Sequence, residues 1–139
     1  MRRHSRELGL QLLYQTEFKA LSPSDISARK TFEATEGKSN DPSVIEYAEF
    51  LFNGVLKHKV EIDQKIQAAS RHWKIDRMAS VDRNVLRLAV FEMIYSPDPI
   101  EPKIVINEMI EVARKFGTQE SSSFVNGLLD QIIKDDRAK

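Results

Sequence analysis

The N-terminus holds the most concentrated positive charge in the sequence. Arg2, Arg3 and Arg6 fall within the first six residues, whereas the whole chain balances 21 Lys+Arg against 21 Asp+Glu. Without these three arginines the remainder has 18 basic and 21 acidic residues and is mildly acidic. Any attraction to nucleic acid must therefore come from a local patch.

The spacing of these arginines on a predicted first helix favours phosphate binding. A run of charge is commonly a solvated face, and the sequence leaves that alternative open. However, cations at a helix N-terminus oppose the macrodipole. Arg3 and Arg6 also share the side of the helix that carries Leu10 and Leu13, where an unpaired buried charge is costly. We therefore expect the first turn to overhang the end of the core and to present its arginines to phosphates.

A second segment combines aromatic and polar residues in a way that suits single-stranded RNA. Phe116 and Phe124 flank a polar run, and unpaired bases are read by stacking on aromatic rings and by polar contacts to base edges. The serines of this run also offer a helix N-terminus as a phosphate site. Alternatives remain: Phe124 fits better as a core anchor, Phe116 fits either role, and helix capping would explain the serines equally well. The polar run is Gly117, Thr118, Gln119, Glu120, Ser121, Ser122 and Ser123.

Catalytic patterns are weak. His58 and Glu61, three residues apart on a predicted helix, could together bind one edge of a metal ion. No second histidine-containing pair completes that site, and there is neither an HExxH motif nor a glycine-rich phosphate loop. His4 and His72 have no acidic or serine partner that the sequence identifies, and cysteine is absent. We therefore expect no enzyme activity, no metal and no cofactor.

The elements that position these residues are predicted to be helices throughout. Glycine and proline are scarce, with five of each, and apolar residues recur at helical spacing. This pattern predicts an all-α, compact helical domain over residues 1–139, with about seven helices arranged as two small bundles that share a buried fifth helix. Ser80 is expected to cap the fifth helix, Ser121 or a neighbouring serine to cap the seventh, and Gly117 to end the sixth in a left-handed conformation. Trp73 is expected to continue the buried stripe of the fourth helix.

Two charges interrupt the fifth helix. Within Val85 to Ile94 only Arg87 and Glu92 are not apolar, so this helix should be surrounded on nearly all sides. Arg87 and Glu92 are expected to be ordinary paired charges beside it.

No apolar run approaches the ~20 residues of a membrane span, and no signal-peptide pattern follows the N-terminus. Together with the lack of cysteine, this favours a cytoplasmic protein with no membrane association.

Three blocks, in order, resemble the NusB family. They are RHSRELGLQLLYQTE from Arg3 to Glu17, VDRNVLRLAVFEM from Val81 to Met93, and IVINEMIEVARKFGTQESSSFVNGLLD from Ile104 to Asp130. The resemblance covers almost the whole chain and is weak only from about Ser22 to Ser43. It implies an all-helical fold of two bundles in a transcription antitermination factor. It also implies binding to boxA-type single-stranded RNA, a small ribosomal protein of the NusE type as partner, and entry into the RNA polymerase antitermination complex.

The resemblance also implies roles for individual positions. In similar proteins the N-terminus and the loop before the last helix contact RNA, while the outer part of the first helix and the start of the fifth contact the ribosomal protein. The implied RNA-binding residues are Arg2, Arg3, Arg6, Phe116, Gln119, Glu120, Ser121 and Phe124. The implied protein-partner residues are Tyr14, Glu17, Phe18 and Asp82.

A second function remains open from the sequence. The chain could be a helical adaptor that binds only protein, with its arginines serving solubility. Related domains also occur fused ahead of RNA cytosine methyltransferases, but this sequence lacks both a βαβ pattern and the cysteine such chemistry needs.

Overall fold

The computed structural model describes residues 2–18, 21–36 and 41–138 of the 139-residue chain. The described residues form seven α-helices and no strand, which confirms the predicted fold class. Short 3₁₀ turns precede the second and fifth helices. The helices are α1 (Arg2–Phe18), α2 (Ala28–Glu36), α3 (Pro42–Lys57), α4 (Lys59–Ala69), α5 (Ser80–Val90), α6 (Pro102–Phe116) and α7 (Ser121–Arg137).

The helices pack as two groups around α5. The first group is α1, α2 and α3, which contact one another, and α1 and α3 also contact α5. The second group is α4, α6 and α7, all of which pack against α5. Five side chains of α5 are fully buried: Val85, Leu86, Leu88, Ala89 and Val90. The two-bundle arrangement around a buried fifth helix is therefore as the sequence predicted. Among the described residues, no helix is long and apolar enough to span a membrane.

The end of α5 departs from a regular helix. Residues Phe91–Tyr95 form a π-helical turn, in which the Ser96 N–H donates to the Phe91 carbonyl at 2.8 Å. The Phe91 ring lies on α3 at Gly54, where an added Cβ would be 2.2 Å from the ring. Gly54 thus permits the close contact between α3 and the π-helical turn that follows α5, because it has no side chain. The widened turn places Glu92 in the interior, where it is fully buried.

The predictions for three helix ends are wrong. Ser80 is the first residue of α5 rather than its cap, and its hydroxyl donates to Glu17 instead. Ser121 likewise begins α7, and its hydroxyl accepts the Thr118 N–H at 2.9 Å. Gly117 is extended, with φ −102° and ψ −161°, and not left-handed. Glycine is needed there because a Cβ would lie 2.3 Å from the Ser121 hydroxyl oxygen.

Candidate nucleic-acid and protein interfaces

Arg2 and Arg3 are accessible at the start of α1. The Arg2 guanidinium lies over the Tyr47 ring, 3.9 Å from its centroid, and the Arg2 side chain is exposed. Arg3 donates to both carboxylate oxygens of Glu108 on α6, at 3.0 and 3.2 Å, in a pair that remains partly exposed. This hydrogen bonding lowers the pKa of Glu108. Both guanidinium groups can therefore reach a phosphate, because a partly exposed ion pair contributes little and is easily exchanged.

Arg6 does not overhang the core as the sequence predicted. Its side chain is 3% exposed and donates to the two carboxylate oxygens of Glu92 at 2.7 and 3.1 Å. Tyr47 donates its hydroxyl to the same carboxylate. Burial and the Glu92 charge both raise the pKa of Tyr47. The expectation of a protruding turn fails at Arg6 because its counter-charge lies 86 positions away, where helical periodicity gives no information.

The second candidate RNA segment lies between α6 and α7. Gln119 and Glu120 are exposed at its tip. Phe116 and Phe124 are half-buried and pack against the core, and the Lys115 ammonium lies 5.4 Å from the Phe116 ring centroid. Ser121 is buried, so its side chain shapes the segment rather than facing solvent.

Contacts between α1 and α6 place the two RNA candidates on one side of the molecule. Arg3 pairs with Glu108, and Lys115 donates to Glu7 at 2.9 Å. The two helices therefore lie side by side over this length. Eight residues separate Glu108 from Phe116, which corresponds to about 12 Å along α6. The arginines and the polar segment thus lie near opposite ends of a short continuous surface.

The outer end of α1 carries an exposed aromatic pair. Tyr14 and Phe18, one helical turn apart, are 40% and 61% exposed, and their rings stack with centroids 4.2 Å apart. Both follow the apolar spacing of the first helix, which usually indicates a place in the core. The structure places both outside it. A stacked aromatic pair in water is the kind of surface that a protein partner covers.

Glu17 lies on α1 between these rings in sequence but faces α5. Its carboxylate accepts from Ser80 and Arg83 at 2.7 Å and from Arg87 at 2.9 Å. Burial alone would raise the pKa of Glu17, but these hydrogen bonds lower it to about 2. Arg87 also pairs with Asp63 of α4 at 2.8 Å. Glu17 therefore joins the two bundles, and its acceptor capacity is used within the chain.

Asp82 lies half-buried in the first turn of α5. Its Oδ1 atom is buried and has no hydrogen-bond partner among the described residues. A buried carboxylate oxygen without a donor is costly, so a donor supplied from outside would be favoured at this position.

The sequence missed several functional neighbours. The N-terminal arginines contact Tyr47, Glu92 and Glu108, and sequence analysis predicted none of these contacts. Only Glu92, a charge within an apolar run, could have indicated a buried partner for an arginine. Trp73 is 60% exposed and does not continue the buried stripe of α4. His58 and Glu61 lie 3.5 Å apart, but the described residues contain no cluster of three potential metal ligands.

The described residues form two helical bundles, with accessible arginines at the start of α1, a stacked aromatic pair near its end, and a carboxylate oxygen without a donor in the first turn of α5. Exposed cations and exposed aromatic rings on a small helical fold are typical of a binding protein. The NusB family model matches residues 3–134. The chain belongs to the NusB family.

Individual relatives agree with this membership. The transcription antitermination protein NusB of Bdellovibrio bacteriovorus is 53% identical over 133 residues, covering 96% of this chain and 95% of that protein. A crystal structure of antitermination factors NusB and NusE in complex with double-stranded RNA is similar, with a TM-score of 0.82, 30% identity and 96% coverage of both chains. The solution structure of NusB from Aquifex aeolicus has a TM-score of 0.81 at 30% identity, covering 99% of this chain and 92% of that one.

Proposed function

We propose that this protein is an RNA-binding transcription antitermination factor. It binds boxA-type single-stranded RNA together with a small ribosomal protein of the NusE type, and the assembly joins the RNA polymerase antitermination complex. Family membership supports this role, as does the similarity to a NusB that was crystallised with NusE and RNA. The role consists of binding alone, in one domain over residues 1–139, and places the protein in the cytoplasm.

The observation that carries the proposal is the division of α1 into two accessible ends. Arg2 and Arg3 are available at its start, and Tyr14 and Phe18 are exposed near its end. The 17-residue helix is about 25 Å long. One helix can therefore contact RNA and a protein at once without the two ligands competing for the same side chains.

The buried candidates take supporting roles in this proposal. Arg6 and Ser121 hold the two RNA-facing segments, and Phe124 anchors the start of α7 on the core. Direct RNA contact is assigned to the accessible groups: Arg2, Arg3, Phe116, Gln119 and Glu120. Direct protein contact is assigned to Tyr14, Phe18 and Asp82, and Glu17 fixes α5 beside them.

The test is a gel-shift titration of boxA-type RNA, with a scrambled RNA as control, in the presence and absence of the NusE-type ribosomal protein. We expect weak binding by the chain alone, tighter binding with the partner, and preference for boxA over the scrambled sequence. Binding of the ribosomal protein with no shift of either RNA would favour the alternative, an adaptor that binds only protein. The exposed aromatic pair on α1 supports this alternative, because it suits a protein partner and does not need RNA.

A further inference from the structure

The segment between α4 and α5 presents a second cationic and aromatic surface. Trp73 is 60% exposed there, although a large apolar side chain is normally covered in a folded protein. Arg71, Lys74 and Arg77 are also exposed, and none of them has an ion-pair partner among the residues that the structure describes. We call Arg71, Trp73, Lys74 and Arg77 the Trp73 patch.

Hydrogen bonds fix the backbone of the Trp73 patch. The Gln67 side chain donates to the carbonyls of Ser70 and Trp73 and accepts the Ile75 N–H, at 3.1, 2.9 and 2.9 Å. The Ser70 hydroxyl donates to the Trp73 carbonyl at 2.8 Å. From the other side, Arg83 donates to the carbonyls of Ile75 and Met78. The indole and the cations are therefore held outward by a fixed segment, which reduces the entropy lost on binding.

We propose that the Trp73 patch is a second binding site for single-stranded RNA, with a base stacked on the Trp73 indole and phosphates contacted by Arg71, Lys74 and Arg77. An aromatic face flanked by cations is the arrangement that binds single strands without sequence readout. The single acidic residue of the segment, Asp76, leaves the patch with a net positive charge. The inference rests on the proposed RNA-binding function and extends it to a surface outside the α1–α6 side.

Charge favours RNA over a protein at this patch. In the proposed function, the ribosomal protein presents a basic surface to the Asp82 carboxylate. Three unpaired cations would repel such a basic protein surface, whereas they would attract the phosphates of RNA. Arg83 holds the patch segment close to α1, because it donates both to the Ile75 carbonyl and to Glu17. Three unpaired cations around an exposed aromatic ring therefore favour a polyanion with unpaired bases as the occupant.

Trp73 is the only tryptophan in the sequence, so its fluorescence reports directly on this surface. The full chain is titrated with an oligouridine and with a duplex RNA, and total binding is followed in parallel by anisotropy of labelled RNA. We expect the oligouridine to quench the fluorescence and the duplex to quench it much less, because only unpaired bases can stack. We expect Trp73→Leu to weaken oligouridine binding about tenfold, equivalent to about 1.4 kcal/mol.

Charge variants separate this site from general electrostatics. Arg71→Ala/Lys74→Ala should lower the slope of log K against log salt by about 1.4. The matched control Lys57→Ala/Lys59→Ala removes two exposed cations where α3 ends and α4 begins, roughly 15 Å away along α4, and should leave quenching unchanged.

Three outcomes would overturn the inference. RNA binding by anisotropy with no quenching, and with unchanged affinity in Trp73→Leu, would remove the patch from the RNA path while leaving the proposed function intact. Quenching in a parallel titration with the ribosomal protein, and none with RNA, would make the patch a protein contact. No binding of either RNA by either readout would overturn this inference, whereas the proposed function is tested separately by the boxA titration with the ribosomal protein.

Discussion

The Arg6 guanidinium and the Glu92 carboxylate form a two-bond ion pair, at 2.7 and 3.1 Å, inside the protein. Arg6 belongs to α1 and Glu92 to the π-helical turn after α5, so the pair joins the first bundle to the central helix. Neither side chain has appreciable contact with solvent. The pair fixes the start of α1, and thereby the direction in which Arg2 and Arg3 extend.

Removing Arg6 should therefore destabilise the fold. We expect Arg6→Met to lower the free energy of unfolding by about 3–5 kcal/mol, because it leaves the Glu92 charge buried and unpaired. Arg6→Met/Glu92→Gln should recover part of this loss, since the charge is gone and Tyr47 keeps an acceptor. Urea denaturation measures both variants. A cost below about 1 kcal/mol for Arg6→Met would mean that the pair is not a structural element.

The salt dependence of RNA binding should reveal the accessible arginines. We expect Arg2→Ala/Arg3→Ala to lower the slope of log K against log salt by about 1.4, because each arginine neutralises one phosphate of a single strand. Binding to boxA and to unrelated RNA should weaken alike, since phosphate contacts carry no sequence information. Stability should change by less than about 1 kcal/mol, because the Arg3 pair with Glu108 is partly exposed.

The control removes two exposed cations elsewhere. Lys134→Ala/Arg137→Ala at the end of α7 changes the net charge equally and should leave the salt slope as in the wild type. Equal slopes for the Arg2/Arg3 variant and the wild type would show that these arginines do not touch phosphate.

Asp82 should act on the protein partner. We expect Asp82→Lys to weaken binding of the NusE-type ribosomal protein at least tenfold, because it replaces an unpaired acceptor by a charge of the same sign as a basic partner. Isothermal calorimetry measures the affinity, and circular dichroism checks that helicity is retained. Asp130→Lys, an equal reversal at an exposed position of α7, should have no effect. Wild-type affinity for the Asp82 variant would remove this residue from the interface.

Glu17 should make stability depend on acid. Its pKa is lowered to about 2 in the folded protein, from 4.5 when unpaired. A lowered pKa stabilises the fold above the unfolded value, so this contribution is lost as the pH falls from about 4.5 towards 2. The full shift is equivalent to about 3 kcal/mol. Because the side chain is one-fifth exposed, solvent screening reduces the expected contribution to about 1–2 kcal/mol.

The measurement compares wild type and Glu17→Gln by urea denaturation between pH 2.5 and 6. The two stability curves should converge as the pH falls, because protonation removes from the wild type the charge that glutamine never had. Parallel curves across this window would place the acid sensitivity in other carboxylates.

Local patterns were enough to predict the helical class and the burial of α5. Helical spacing of apolar residues and the near absence of polar side chains from Val85 to Ile94 are properties of short segments, and the structure agrees with them. Asp41, followed by proline, also caps α3 as its type indicates, accepting the Ser43 N–H at 3.0 Å. Three blocks of resemblance, in order, were enough to predict the family, which the comparisons confirm.

The tertiary structure alone decided which charged and aromatic side chains are available. Arg3 and Arg6 are three residues apart on one helix, yet Arg3 is accessible and Arg6 is buried. Arg6 pairs with the buried Glu92, whereas Arg3 pairs with Glu108 at the surface. Phe18 and Trp73 have apolar spacing in the sequence but are exposed, because Phe18 is the last residue of α1 and Trp73 lies beyond the end of α4 at Ala69. Periodicity identifies a helix face from residues within about two turns. What that face meets depends on side chains tens of residues away, and their positions are set only when the bundles pack.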